Sequence, residues 1–464
     1  MKNFVLLFLF VLAACAHSKT DDFANGPQAT FQMRPYEEMA LPNGLRLLLI
    51  RDQSLPRIGL DLMVMTGSIN DPTGKLGLAA FTGEMIDNAT QKRSALKMAD
   101  EFGQIASGLS VSVGSDSTLF SASTIANEKN KLLELFSESV LRPAFDPKEI
   151  NRERAQVLAK IAKRQDNPSH YADLLINQET YGPHPYAHPS EGEPDTVKSL
   201  RREDLANYFH KYYTPPNCIL SITGAFDDAF VDRVKMIFLS WHGPAVESYV
   251  GLPFKPFAPD SIKLFTKPEL KQAQIRLAER GIKRTDPDYL PLKLANLILG
   301  GDFVSRLNMK VRDELGLTYS IHSSSEARLD FGAFEISTFS RNEKVGQTVT
   351  ETQKVIREFV DKGVTSAELD AAKALLAGQF PAAVETTDSL ANTLALLRLY
   401  HVDDDYVRSF IPNLGAVTLD QVNAAIKNHI HPEDFRVVVF ADETKVADQL
   451  KAISKVEIEK VKSN

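Results

Sequence analysis

The chain has 464 residues, of which 43% are hydrophobic and 24% charged, the composition of a folded globular protein of roughly two to four domains. With 53 Lys and Arg against 60 Asp and Glu, the net charge is −7, so the sequence offers no basic excess for nucleic acid or an anionic membrane surface. Two cysteines exclude a disulfide framework and a cysteine-rich zinc module.

The first 14 residues predict a signal peptide. One lysine precedes an apolar run from Phe4 to Ala14, which as a helix would rise about 16 Å, half of a hydrocarbon core of about 30 Å. This segment is therefore too short to span a bilayer and is typical of a secretory signal.

The end of this run predicts lipidation. Leu12-Ala13-Ala14-Cys15 resembles the lipobox of bacterial lipoproteins, which makes Cys15 the lipidated first residue of the mature chain. An ordinary signal peptide with a chance cysteine is the alternative. By resemblance to enteric sorting rules, Ala16 indicates the outer membrane, so we expect an envelope lipoprotein that faces the periplasm through a tether at residues 15–35.

Alternating and helical patterns of apolar residues then mix along the chain. Strands are predicted at residues 45–50, 58–65, 109–124, 219–223, 273–277, 332–339 and 435–440. Helices are predicted at residues 77–86, 95–102, 130–141, 147–165, 200–213, 289–299, 345–362 and 367–380. This arrangement indicates an α+β fold in which mostly antiparallel sheets are covered by helices.

An internal repeat predicts two homologous domains. Residues 200–222 and 417–439 align without a gap at an offset of 417 − 200 = 217, and Pro215 then meets Pro432 between an amphipathic helix and an apolar strand. Two similar supersecondary units without common origin are the alternative. The predicted boundaries are residues 36–247 for the first domain, 248–261 for a linker and 262–460 for the second domain.

Residues 77–85 read Gly-Leu-Ala-Ala-Phe-Thr-Gly-Glu-Met and resemble the zinc-binding helix of the pitrilysin/insulinase-like zinc peptidases. In that family the helix carries the inverted motif H-x-x-E-H, whose two His bind Zn²⁺ while the Glu activates a water. Here Ala80 stands at the first His, Gly83 at the Glu and Glu84 at the second His. The family's third ligand, a Glu, falls on Lys160, since 160 − 84 = 76.

This degenerate slot does not offer the ligands of a catalytic zinc, which needs three protein ligands and an open position. Only Glu84 has a suitable side chain, and the ammonium of Lys160 repels a dication. We expect a Glu84–Lys160 ion pair in place of the metal, and no zinc hydrolysis by this chain. Restoring the family residues with Ala80→His, Gly83→Glu, Glu84→His and Lys160→Glu is expected to create zinc affinity.

Other clusters give weaker signals. His184 and His188 are four residues apart, but Pro185 and Pro189 break a helix there, so a metal site is not expected. Cys218 opens an apolar run and is predicted to be a buried strand residue. The sequence has no G-x-S-x-G motif, which leaves a self-sufficient hydrolase with another nucleophile as the weakest hypothesis.

The second half resembles the family more closely. Residues 299–307 and 311–319 match its glycine-rich turn and its R-x-x-x-G-L-x-Y block. The resemblance implies that Arg312 and Tyr319, 319 − 312 = 7 residues apart, hold the backbone carbonyl of a substrate near the zinc. Without the resemblance, Arg312 is a surface helix residue and Tyr319 the first residue of a strand.

The resemblance also implies a strand edge that pairs with an extended peptide, at about residues 109–114. Leu109, Ser110 and Val111 are the candidate binding residues. The family usually has an Asn-Ala pair near the start of this strand, and Ser110-Val111 stands there instead, which puts side-chain contacts to the substrate in doubt.

Together these resemblances imply the zinc-less subunit of a two-chain envelope peptidase, similar to the bacterial pairs that resemble the mitochondrial processing peptidase. The expected partner is a homologous subunit that has an intact H-x-x-E-H motif and carries the zinc, while this chain needs no cofactor. Each subunit would form half of a clam-like chamber for peptides. The alternative is a non-enzymatic scaffold or peptide-binding lipoprotein, comparable to core subunits of cytochrome bc complexes.

Overall fold

The computed structural model describes residues 33–247, 249, 251 and 261–461. The predicted signal peptide, the lipidation site at Cys15 and most of the predicted tether and linker lie outside the described residues. Within the described part, none of the helices combines the length and the apolar character needed to cross a bilayer.

The first half forms a six-stranded sheet covered by helices. Its strands are β1 Glu37–Ala40, β2 Arg46–Arg51, β3 Arg57–Val64, β4 Ser110–Val113, β5 Thr118–Ile125 and β6 Cys218–Gly224. They lie in the order β1-β2-β6-β3-β5-β4, and all neighbours are antiparallel except β2 and β6. The helices are α1 Leu78–Ile86, α2 Ala95–Gln104, α3 Lys129–Leu141, α4 Pro147–Ala162, α5 Pro168–Tyr181, α6 Pro194–Ser199, α7 Arg202–Tyr212 and α8 Asp228–Phe238.

The second half repeats this plan. Its strands are β7 Ser261–Thr266, β8 Gln272–Arg280, β9 Ile321–Ser325, β10 Ala333–Arg341, β11 Arg436–Ala441 and β12 Lys455–Lys460, in the order β12-β7-β11-β8-β10-β9. Its α-helices are α9 Tyr289–Asn296, α10 Val345–Lys362, α11 Ser366–Gln379, α12 Thr387–Leu399, α13 Asp405–Arg408, α14 Phe410–Ala416, α15 Leu419–His429 and α16 Glu443–Lys451. Segments Leu297–Gly301 and Asn308–Glu314 are π-helical.

The predicted α+β fold with two sheet-and-helix domains is confirmed, and both sheets are mixed. The helix–strand pairs α7–β6 and α15–β11 are the two units of the 217-residue repeat. The sheets differ at one edge, because β1 is antiparallel to β2 whereas β12 is parallel to β7. Cys218 is fully buried in β6, as predicted, and burial raises the pKa of its thiol.

The two halves are joined by a reciprocal exchange of helices. Helix α5 of the first half packs on the second sheet, where Ala172, Leu175 and Ile176 meet Phe265, Ala278, Val438 and Phe440. Helix α12 of the second half packs on the first sheet, where Leu390, Ala391 and Leu394 share a core with Leu48, Ile50, Met63 and Ile219. Each sheet is therefore covered on one face by helices of its own half and on the other by a helix of the opposite half.

Candidate functional site

The degenerate slot lies on α1, as the sequence predicts. Asp71 positions the first turn of this helix, because its carboxylate accepts hydrogen bonds from the backbone N–H of Gly77 at 2.7 Å and of Ala79 at 2.8 Å. Along the helix Ala80 is half-buried, Gly83 is buried and Glu84 is exposed.

Gly83 faces the neighbouring sheet edge. A Cβ atom at this position would lie 2.7 Å from Cγ2 of Val113 and 3.4 Å from Cγ1 of Val111, both on β4. A glutamate at the general-base position therefore has no room for its first side-chain carbon unless Val113 moves. Neither the donor set nor the space around it fits a catalytic zinc.

The surroundings of Glu84 are acidic. Burial and the neighbouring carboxylate of Glu153 raise the pKa of Glu84, while the ammonium of Lys160 lowers it. The predicted Glu84–Lys160 ion pair is wrong, since it is not among the ion pairs of the described residues, although Lys160 is near enough to lower the pKa of Glu84. Lys160 also acts on Glu153, so one ammonium is shared between two carboxylates that stay in contact with water.

Asp87 lies near Glu84 and Glu153, and these three carboxyl groups form the acidic group at α1. Burial, Glu84 and Glu153 raise the pKa of Asp87 from 3.8 to about 7. The folded protein therefore takes up a proton that the unfolded chain lacks between about pH 4 and 7, and its free energy of unfolding falls as the pH rises through that window.

Asp87→Asn is expected to make the free energy of unfolding depend less on pH between about pH 4 and 7, because the amide does not titrate. Since the side chain also reaches solvent, we expect a gain of about 1 kcal/mol or less at pH 8 and no gain at pH 4. Urea unfolding at the two pH values measures it. An equal change at both would show that Asp87 does not titrate in this window.

Strand β4 lies directly beside the slot and forms the end of the first sheet. Leu109 precedes it and is buried, Ser110 is exposed and Val111 is half-buried. The outer edge of β4 pairs with no strand among the described residues, so its backbone N–H and C=O groups are available to an added strand. The predicted strand 109–124 is a hairpin of β4 and β5, closed by a bond from Gly114 N–H to the carbonyl of Ser117.

The turn of this hairpin is held by the histidine-rich stretch of the first half and by the second half of the chain. Asp116 accepts a hydrogen bond from the Tyr186 hydroxyl at 2.6 Å and another from the backbone N–H of Leu329 at 3.3 Å. His184 lies nearby, with Nε2 3.2 Å from Asp330 Oδ2, and burial lowers its pKa. The histidine-rich stretch therefore links the two halves, and its role there is structural.

Arg312 lies in the π-helical segment Asn308–Glu314 of the second half. Its guanidinium stacks on the ring of Phe303 at 3.9 Å, and its Nε is 3.7 Å from a carboxylate oxygen of Asp313. None of the hydrogen bonds among the described residues uses this guanidinium. It therefore has free donors beside an aromatic ring.

Tyr319 follows the same segment after a tight turn. The turn is closed by bonds from Gly316 N–H to the Arg312 carbonyl and from Leu317 N–H to the Val311 carbonyl. The side chain of Tyr319 is 88% exposed, the highest value among the large exposed apolar and aromatic residues of the described chain. Its exposure leaves the phenol free to contact another molecule.

Three apolar residues in the segment that leads to Arg312 are exposed, which the sequence did not predict. Phe303, Val304 and Met309 are 63%, 72% and 52% exposed. Their spacing does not follow a single helix face, so no periodicity in the sequence separates them from core residues.

The structure thus brings the slot and the candidate peptide edge together in the first half. The described contacts of Arg312 are with Phe303 and Asp313, and no described contact of Arg312 or Tyr319 reaches the slot. The slot and β4 therefore belong to the first half of the chain, and Arg312 and Tyr319 belong to the second.

Known proteins match this chain over most of its length. The family description "Insulinase (Peptidase family M16)" matches residues 46–193, and "Peptidase M16 inactive domain" matches residues 199–376. The Bacillus subtilis protein named "Uncharacterized zinc protease YmxG" is 26% identical over 402 residues, which are 86% of this chain and 96% of that protein.

The names of two further similar proteins indicate that they lack peptidase activity. The Helicobacter pylori "Non-peptidase homolog YmxG" is 24% identical over 387 residues, covering 82% of this chain and 87% of the relative. The crystal structure of a "peptidase M16 inactive domain" from Pseudomonas fluorescens superposes with a TM-score of 0.82 at 26% identity, covering 88% of this chain and 98% of that one. With its slot lacking zinc ligands and a general base, the chain belongs to the insulinase-like M16 peptidase family as a catalytically incomplete member.

Proposed function

We propose that this chain is the zinc-less subunit of a two-subunit envelope peptidase. Its partner is a homologous chain with an intact H-x-x-E-H motif, which carries the zinc. This chain binds extended peptides and supplies Arg312 and Tyr319 to the partner's active site. The two subunits enclose the substrate as the halves of a clam-like chamber.

The observation that carries the proposal is the state of Arg312 and Tyr319. Arg312 stacks on Phe303 and lies near Asp313 but donates no hydrogen bond among the described residues, and Tyr319 is 88% exposed, so both side chains can donate to another molecule. Donors of this kind, aimed at a carbonyl oxygen that gains negative charge, stabilise the transition state of peptide hydrolysis. Since the slot of their own chain lacks the donors of a catalytic zinc, the substrate that they contact lies at the zinc of the proposed partner.

The free edge of β4 supports peptide binding by this chain. Added strands bind mainly through backbone hydrogen bonds, which tolerate many side-chain sequences. The hairpin turn at Asp116 is bonded to Tyr186 in the first half and to the backbone of Leu329 in the second, so the edge is held in place before a peptide arrives. Preorganisation of this kind lowers the entropy that binding costs.

We also propose a location, which rests on the resemblance of residues 12–15 to a lipobox. A lipid on Cys15 anchors the chain to the outer membrane, and the tether at residues 15–35 places both halves in the periplasm. Peptides in that compartment are then the substrates, while the net charge of −7 argues against nucleic acid.

A second candidate is a scaffold or peptide-binding lipoprotein without any enzymatic partner. The name "Non-peptidase homolog" of the Helicobacter pylori relative favours it. In this case the edge of β4 would bind peptides that are not cleaved.

Purification of the native protein in mild detergent tests the proposal, with peptidase activity measured on the eluate and on the separated chains. We expect a stoichiometric homologue to copurify, and activity to require both chains and to be lost on chelation of zinc. The chain alone, inert toward peptides at every stage, would contradict the split enzyme and support the second candidate.

The structure also changes what restoration of the slot requires. Ala80→His, Gly83→Glu, Glu84→His and Lys160→Glu restore the family's donor set, but the side chain that replaces Gly83 would clash with Val113. We expect the four substitutions to give zinc affinity only when Val113→Ala accompanies them. Calorimetric zinc titration of both variants checks this. Equal affinity with and without Val113→Ala would show that β4 shifts to accommodate the side chain that replaces Gly83.

A further inference from the structure

We propose that Asp286, Asp288 and His429 form a binding site for a divalent transition metal ion, with Zn²⁺ the ion that fits best. This site lies in the second half and is distinct from the degenerate slot on α1. It goes beyond the expectation from the sequence that this chain holds no metal.

The geometry of the three side chains supports this proposal. One carboxylate oxygen each of Asp286 and Asp288 and one ring nitrogen of His429 all lie within 4.8 Å of one another. His429 Nε2 is 2.8 Å from Asp288 Oδ2. Donors on one zinc ion lie about 3.4 Å apart, since the bonds are about 2.1 Å long. Small side-chain rotations are therefore enough to close the three donors around an ion.

The ligands stand on backbone that is already ordered. The N–H of Asp288 donates to Asp286 Oδ1 at 2.9 Å, and the N–H of Leu292 donates to the Asp288 carbonyl at 2.8 Å. These bonds hold the turn that leads into α9. His429 is the last residue of α15, where the negative end of the helix dipole favours a cation. The turn before α9 and the last residue of α15 thus supply the donors, and the two helices pack against each other.

Two basic side chains, Arg280 and Lys283, line the same cavity as Asp286. Lys283 is engaged with Asp330 at 3.5 Å, and the Arg284 guanidinium stacks on Tyr289 at 3.8 Å. Among the described residues, no Lys or Arg nitrogen forms an ion pair with Asp286 or Asp288, and the partner of Asp288 is the imidazole of His429. Two carboxylates beside one imidazole therefore leave a net negative charge, which a dication would neutralise.

The site is open to an ion from solution. Asp286 and His429 line a cavity of about 530 Å³, together with a second histidine, His431. His431 Nδ1 is 3.3 Å from Glu279 Oε2, the arrangement in which a carboxylate orients an imidazole. One imidazole with two carboxylates is a mixed nitrogen and oxygen donor set, which suits Zn²⁺ better than the oxygen-preferring Mg²⁺.

The repeat shows that this ligand set is particular to the second half. At the offset of 217, His429 corresponds to Tyr212, whose buried ring packs on Tyr208 in the first half. A bound ion would tie the turn before α9 to the end of α15. It would therefore stabilise the second half without taking part in peptide hydrolysis.

Isothermal titration of Zn²⁺ into the metal-stripped full chain, in mild detergent, tests this site. We expect one ion per chain with a dissociation constant in the micromolar range or below, and little competition from Mg²⁺. Asp286→Asn and His429→Gln should each weaken binding at least about tenfold, because each removes a ligand. His170→Gln, at an exposed histidine of α5, is the matched control and should leave affinity unchanged.

Glu84→Gln tests whether zinc binds to the acidic group at α1 instead of to this site. Zinc should raise the melting temperature of the wild type, His170→Gln and Glu84→Gln, but not that of His429→Gln. Loss of binding in Glu84→Gln with retention in His429→Gln would overturn the proposal. So would the absence of saturable binding below about 100 µM in the wild type.

Discussion

Arg312→Ala is expected to lower kcat/KM of the two-subunit complex by roughly 10²–10³-fold, the loss typical of one removed oxyanion donor. The expectation rests on the proposed role of Arg312 at the partner's zinc. Its guanidinium stacks on Phe303 and uses no hydrogen bond within the described chain, so the substitution removes a donor without breaking an internal network. Steady-state kinetics with a short unfolded peptide measure the effect.

Two further variants make this result specific. Lys310→Ala removes an exposed cation from the same π-helical segment, where Lys310 pairs with Glu314, and should leave kcat/KM within about twofold. Arg312→Lys keeps the charge but loses the planar fork, and should recover only part of the rate. Unchanged turnover in an intact Arg312→Ala complex, checked by size-exclusion chromatography, would remove Arg312 from the mechanism.

Arg276→Ala is expected to lower the free energy of unfolding by about 1–3 kcal/mol, because it removes a buried guanidinium whose hydrogen bonds join the two halves. Arg276 is 2% exposed on β8, and its Nε donates to Asp173 on α5 at 2.6 Å. Its other nitrogens donate to the carbonyl of Thr338 and to both oxygens of Ser169. The substitution would leave these acceptors, and the nearby carboxylate of Glu335, without their donor.

Urea unfolding of the full chain measures this loss. Arg46→Ala, at an exposed arginine of β2, is the matched control and should change stability by no more than about 0.5 kcal/mol. Arg276→Lys should fall between the two, since it keeps the charge but cannot reach all the acceptors. A cost for Arg276→Ala that equals the control would show that the contact between α5 and the second sheet does not depend on this network.

Elements with strong local patterns could be predicted from the sequence. The helix predicted at residues 345–362 is α10, Val345–Lys362, and the helix predicted at 77–86 is α1, which begins one residue later. Apolar residues at helical spacing determine which face of such an element is buried, whatever it packs against. The positions of the degenerate slot were predictable from the family resemblance, which places Ala80, Gly83 and Glu84 on α1 and Lys160 on α4.

Three elements could not be predicted correctly from the sequence pattern: a helix that is buried against the opposite half, a hairpin and an edge strand. The sequence pattern does not predict helix α5, although Ala172, Leu175 and Ile176 are buried against the second sheet. The 109–124 run is predicted as one strand because its alternation continues through the turn, which is closed by a bond between Gly114 and Ser117. Edge strand β12 also gives no signal, since most of its residues are exposed and carry no apolar face.

The sequence by itself determined the fold class, the family resemblance and the loss of the zinc ligands, since each depends on residue types and their spacing along the chain. Only the tertiary structure decided that Gly83 abuts Val113, that Glu84 and Lys160 stay apart, and that His429 meets Asp288 across 141 residues. Such contacts arise when whole helices and sheets pack together. Local periodicity describes which face of an element is buried, but not which distant side chain lies against it.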